Sequence, residues 1–171
     1  MKKLLLSLLL SPTIFSLANA DGGDDWQNVN FNVIQLNELN HCMSCDLRST
    51  TFNGLNFTGA NLTGANFIEA NLRNTNFYGA NFEGSSLYGS DFEGANLESA
   101  SFFAANLYGV ILKDTWLIGA DLRQADLSKA NLTGANLTGA NLTGANLRGA
   151  ILDGAVFCNT QTPWGIDNSG C

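Results

Sequence analysis

Histidine is almost missing from this chain of 171 residues: there is one, His41. Zinc sites draw on four Cys, His or carboxylate ligands and c-type haem needs a His directly after a C-x-x-C pair. Here Cys42-Met43-Ser44-Cys45 is followed by Asp46, and His41 precedes it. A thioredoxin-like reading of the same pair would need a βαβ context, which the surrounding pattern lacks. Cations are also scarce, with Lys and Arg totalling 8 against 15 Asp and Glu, a net charge of -7. An acidic chain is repelled by nucleic acid and by anionic lipid surfaces. Long apolar runs are confined to the first residues. There is no nucleophile–base set at motif spacing, so nothing marks an enzyme. Asp91 with Glu93, or Asp121 with Asp126, could be imagined as acid pairs, but scattered solvated carboxylates describe them better. No metal or cofactor is expected.

The chain opens MKKLLLSLLLSPTIFSLANA. Lys2 and Lys3, a largely apolar stretch from Leu4 to Leu17, and Ala18-Asn19-Ala20 have the form of a secretory signal with cleavage before Asp21. The stretch is too short to span about 30 Å of hydrocarbon, and no Cys follows the cleavage site to carry lipid. Removing Lys2 and Lys3 moves the net charge from -7 to -9. We expect a soluble exported protein without a further membrane segment.

From Leu47 to Phe157 every fifth residue is Leu or Phe, 23 positions in one unbroken frame. Two residues before each stands a small residue, Ala in 15 of the 23, with Leu55 the bulky exception. A period of five fits neither 3.6 nor 2, so amphipathic helices and alternating strands both fail. The Gly residues at most fifth positions would each cost a helix about 1 kcal/mol. Disorder fails as well, because disordered segments lack regular large apolar residues. The pattern describes a chain that turns every five residues, with its Leu, Phe and small residues facing inward and its polar residues outward. The Asn-Leu-Thr triplets at 61, 131, 136 and 141 match a glycosylation sequon, but they are a by-product of the repeat.

Ala135-Asn136-Leu137-Thr138-Gly139 resembles the pentapeptide-repeat family, and the match covers residues 45–159. The resemblance implies an all-β solenoid, a right-handed quadrilateral β-helix with four pentapeptides per coil and just under six coils. At the ~4.8 Å strand spacing these make a rod roughly 28 Å long. Its interior would be filled by side chains, leaving no cavity of the ~300 Å³ a small-molecule pocket needs. The organisation is then a signal peptide over 1–20, a cap over 21–44, the repeat rod over 45–159 and a second cap over 160–171. Within the first cap, Asn30 to His41 has partly helical apolar spacing and Asn30 as a candidate N-cap. In the second, Trp164 and Ile166 are expected to fold over the last coil.

On such a rod Cys45 and Cys158 lie roughly 25 Å apart, so neither a Cys45–Cys158 nor a Cys42–Cys158 bond can form. The four cysteines are expected as Cys42–Cys45 and Cys158–Cys171 disulfides bracketing the caps; a reduced pair, with Cys45 simply filling a small inward position, is the alternative.

Taking every fourth repeat as one face makes outward columns readable. One runs Asn53, Arg73, Glu93, Lys113, Thr133, Asp153 and alternates in sign at its centre. Another runs Arg48, Ile68, Tyr88, Tyr108, Ser128, Arg148 and, with Phe103 on the neighbouring face, suggests an exposed apolar patch of Ile68, Tyr88, Phe103 and Tyr108. A looser group is Ile111, Trp116 and Ile118. Such clusters can mark partner surfaces or simply add cross-strand pairing energy.

Two functional classes follow from the resemblance. Some acidic family members mimic duplex DNA and protect topoisomerases. This chain departs from them in its export signal and in having no recognisable helical dimerisation tail. The better fit is a non-enzymatic interaction or structural module, a monomer of the periplasm or a thylakoid lumen with an unknown protein partner.

Overall fold

The computed structural model describes Leu36, Asn37 and residues 39–171. The export signal over 1–20 and the candidate N-cap Asn30 lie outside the described residues. Leu36, Asn37 and Leu39 are helical, and the Asn40 amide donates to the Leu36 carbonyl at 3.1 Å, one helical turn immediately before the repeats.

Each pentapeptide is a closed local unit. In Ala135 to Gly139 the Ala140 amide donates to the Leu137 carbonyl at 2.9 Å, which closes a β-turn around Thr138 and Gly139. Gly139 has φ 69°, the left-handed conformation that a type II turn requires at its third residue and that glycine adopts without a Cβ penalty. The position keeps its positive φ where the residue is not glycine, as at Glu69, Ala104 and Lys129. The ladder on either side therefore dictates the turn, and glycine only makes it easier.

The polar residue before each Leu or Phe explains its own identity. Asn136 Oδ1 accepts both the amide of Thr138 at 3.1 Å and its hydroxyl at 2.7 Å. The Asn-Leu-Thr triplet is thus a turn tied to itself by an Asx bond, a motif Asn and Asp favour. The same residue carries the long-range pairing. Parallel bridges join positions twenty apart, from His41 with Asn61 to Asn141 with Gln161. The chain therefore passes over itself every four pentapeptides, and each repeat donates amides both forward and back: Leu137 to the Val156 carbonyl at 2.9 Å, Asn136 to the Thr115 carbonyl at 2.9 Å.

Inside the stack, the Leu or Phe position is buried from Leu47 through Leu142 and again at Phe157. Phenylalanines cluster in the first half, where Phe82 and Phe102 stack at 4.9 Å and Phe57 and Phe77 at 5.5 Å. The small position admits Ser and Thr because their buried hydroxyls reach a turn carbonyl, as Ser85 does at Phe82 and Thr75 at Phe52. Leu55, too large for that slot, is only partly buried against the core.

The ladder is one repeat longer at each end than the Leu/Phe frame suggests. Upstream, Cys42 occupies the Leu position with no exposed surface and Cys45 the following small position, joined as a disulfide. Downstream, β1 (Thr160–Thr162) continues the ladder, with Thr160 in the small slot and Thr162 in the Leu slot, both buried. The second disulfide joins Cys158 and Cys171. Both expected pairings are present.

One expectation fails. Trp164 and Ile166 do not fold over the last coil; they are 63% and 64% exposed. The segment forms a hairpin in which β2 (Gly165–Asp167) pairs antiparallel with β1, Gln161 opposite Ile166. Residues directly opposite in such a pair share a face. Gln161 points outward because its neighbours Thr160 and Thr162 point into the stack, and Ile166 must follow it. The end of the stack is consequently only partly covered: Leu147, Ala150, Leu152 and Ala155 remain partly exposed.

Candidate interaction surface

Outward columns arise because residues twenty apart sit one above the other. The position after each Leu or Phe lies on the outer side of the turn, exposed or half-buried everywhere but at the buried Ser128, and it varies from repeat to repeat.

On the first face, Tyr88 and Tyr108 stack with ring centroids 5.4 Å apart and planes 10° from parallel. Backbone pairing places Ile68 one step below, since the Glu69 amide donates to the Tyr88 carbonyl at 2.9 Å. At the other end Lys129 brings its ammonium 5.3 Å from the centre of the Tyr108 ring. The Tyr108 hydroxyl, by hydrogen bonding and charge, raises the Lys129 pKa above its ordinary value. The column therefore presents an aromatic pair closed by a cation. Tyr88 is 45% exposed, while Ile68, Phe103 and Tyr108 are half-buried.

Phe103 takes a different partner from the one its position suggested. Arg123, one coil further along the same face, lies 5.5 Å from its ring centre and is held there by Asp121 at 2.8 and 2.6 Å. That pairing lowers the Asp121 pKa, chiefly through the Arg123 hydrogen bond. Among the described residues no ring contact joins Phe103 to Tyr108. Ile68, Tyr88 and Tyr108 form one column, and Phe103 on the neighbouring face pairs with Arg123.

The charge column forms as the sequence suggested. Arg73 reaches Glu93 at 2.6 Å and Asp91 at 3.1 Å, and Lys113 reaches Glu93 at 3.1 Å. Hydrogen bonding from Lys113, with the charges of Arg73 and Lys113, holds Glu93 below its ordinary pKa. Asp91 and Glu93 therefore share cations, and Asp121 is occupied by Arg123. These carboxylates serve pairing. Among the described residues there is no group of three His, Cys, Asp or Glu able to hold a metal ion. Nor is any helix among them long and apolar enough to cross a membrane.

Trp116 is 57% exposed and stands where its column otherwise carries Asn96 and Asn136; Ile111 and Ile118 beside it are half-buried. Tyr78, also exposed, occupies the same turn position as Tyr88 and Tyr108.

Turn, twenty-residue ladder and filled interior together match one family. A model of the pentapeptide repeat region fits residues 24–102, and eight copies of the pentapeptide repeat fit residues 105–144 and 140–161. The chain belongs to the pentapeptide-repeat proteins. Among solved structures it is similar to the pentapeptide repeat protein Rfr23 of the cyanobacterium Cyanothece 51142, at 27% identity and TM-score 0.52, covering 77% of this chain and 97% of that one. It is 35% identical to a pentapeptide repeat protein of the Arabidopsis thaliana thylakoid lumen, over 61% of this chain and 63% of that one, with TM-score 0.29. The plasmid-mediated fluoroquinolone resistance protein QnrB1 matches at 21% identity and TM-score 0.40, over 76% and 78% of the two chains. The comparison with curated proteins returned no match. No catalytic family is among the matches. The pentapeptide-repeat frame thus sets the wall, and the variable turn position sets what the wall displays.

Proposed function

We propose that this pentapeptide-repeat protein is an exported, non-enzymatic interaction or structural module of the periplasm or a thylakoid lumen. In this reading its wall is a right-handed quadrilateral β-helix whose coils repeat every twenty residues. The observation that carries the interaction role is the ordered, outward Tyr88–Tyr108 stack with Lys129 at its end. An exposed aromatic pair flanked by apolar and cationic groups is the kind of surface that binds another protein, because aromatic rings supply large contact area at low entropic cost. Export is supported by the signal-like first twenty residues and by two disulfides, which persist in oxidising compartments.

The double variant Tyr88→Ser/Tyr108→Ser tests the role. Loss of partner capture in the native compartment, with the melting temperature nearly unchanged, is the expected result. Unchanged capture with a lowered melting temperature would make the stack a stabilising ladder and nothing more.

A further inference from the structure

The two disulfides sit in opposite surroundings. Cys42 is fully buried and Cys45 is 7% exposed, both in core positions of the first coil. Cys171 is exposed and Cys158 half-buried, on the outside of the last coil. We propose that Cys158–Cys171 is a thiol–disulfide exchange site for a dithiol reductant, and that its reduction unlatches the downstream end of the stack while Cys42–Cys45 stays closed.

The tail is fitted to the coil as a latch would be. The Gly170 amide donates to the Phe157 carbonyl at 2.7 Å, and a Cβ on Gly170 would lie 2.7 Å from the Phe157 nitrogen. Only glycine can approach so closely. Asn168 adds one bond, its Oδ1 accepting the Asn159 amide at 2.8 Å. Apart from the hairpin's own pairing, the disulfide and these two hydrogen bonds are what tie residues 168–171 to the repeats among the described residues. Further upstream β1 is held independently, with Gln161 bonded to Ala140 and Leu142 at 2.9 and 2.6 Å. Opening the disulfide therefore frees the tail without dissolving the ladder.

Exchange rates depend on access to the attacked sulfur. A thiolate of the dithiol attacks the Sγ of the exposed Cys171, the Sγ–Sγ bond breaks, and Cys158 leaves as a thiolate that takes up a proton. The second thiol of the reductant then attacks its own sulfur in the mixed disulfide and releases Cys171, which is protonated in turn. Two electrons and two protons pass from the dithiol to the protein, and the dithiol becomes a disulfide.

The test uses the oxidised full chain under native conditions with dithiothreitol as the dithiol. Thiols are trapped by alkylation at intervals and located by peptide mass spectrometry, and amide exchange is followed in parallel. Cys158 and Cys171 are expected to be alkylated about ten-fold sooner than Cys42 and Cys45. Amide exchange is expected to quicken over 168–171 and to stay unchanged over 60–140. Cys171→Ser, without reductant, is expected to show the same fast exchange in the tail. Equal alkylation of the two pairs would overturn the proposal, as would a tail still protected after reduction or in the variant. Quickened exchange along the whole ladder would overturn it too.

Discussion

Residues 131–147 and residues 68–118 are built on the same turn, the same ladder and the same buried frame, yet they display different surfaces. In the first region Thr133, Thr138 and Thr143 each give both amide and hydroxyl to the Asn two residues before, so the wall satisfies its own polar groups locally. In the second, the amides of Ile68, Tyr78 and Tyr108 keep their bond to the preceding Asn, but these residues, with Tyr88, Phe103 and Trp116, carry apolar side chains that reach sideways to the next coil or into solvent. The difference shows which constraints are structural. Inward positions hold to Leu, Phe and small residues throughout, because the stack has no other way to fill itself.

The largest expected effect probes the two cores. Phe82 touches Phe67, Phe77, Phe92 and Phe102 within 5.9 Å between ring centres. Phe82→Ala should cost about 3–5 kcal/mol, and Leu137→Ala, in the all-leucine half, about 2–5. Urea denaturation of both variants measures the difference, and a larger loss at Leu137 would show that the aromatic cluster adds nothing to the middle. Next in size is the Asx bond. Asn136→Ala removes the acceptor for both Thr138 donors and should cost about 1–2 kcal/mol, whereas Trp116→Asn restores an acceptor to the Ile118 amide and should stabilise by up to about 1 kcal/mol. If Trp116→Asn destabilises, the exposed indole is part of the wall's packing.

The smallest effect concerns acid. Because Glu93 is held below its ordinary value of 4.5, its pairing with Lys113 and Arg73 contributes fully above that pH. The contribution fades as pH falls through the lowered folded-state value. The stability advantage of the native chain over Glu93→Gln should therefore shrink on going below about pH 4.5. Melting curves at neutral and acid pH check the sign; an advantage that grows with acid would contradict the pairing.

Much of this architecture was readable in advance because each side chain's role repeats with the five-residue frame. The buried Leu and Phe, the charge column and the Tyr88–Tyr108 stack all follow from counting in fives and twenties. Cys42 in a Leu slot lay in the same frame. The contact of Phe103 with Arg123 follows from the same count of twenty along its own column. The end of the molecule was not readable in this way. Once the frame stops, whether Ile166 points in or out depends on the register of β2 against β1, and that register is set by pairing rather than by local sequence. The open positions at Leu147 and Leu152 have the same origin: their exposure depends on how far the following hairpin reaches, and nothing in those residues encodes it.

The central claim is that the irregular middle, and not the uniform stretch after it, meets a partner. Photo-crosslinking from single sites in the producing cell tests it most directly, with the reactive side chain placed in turn at Tyr88, Tyr108 and Thr138. Adducts of one defined mass from positions 88 and 108, and none from 138, are the expected result. Equal adducts from Thr138, or adducts from Thr138 alone, would contradict it.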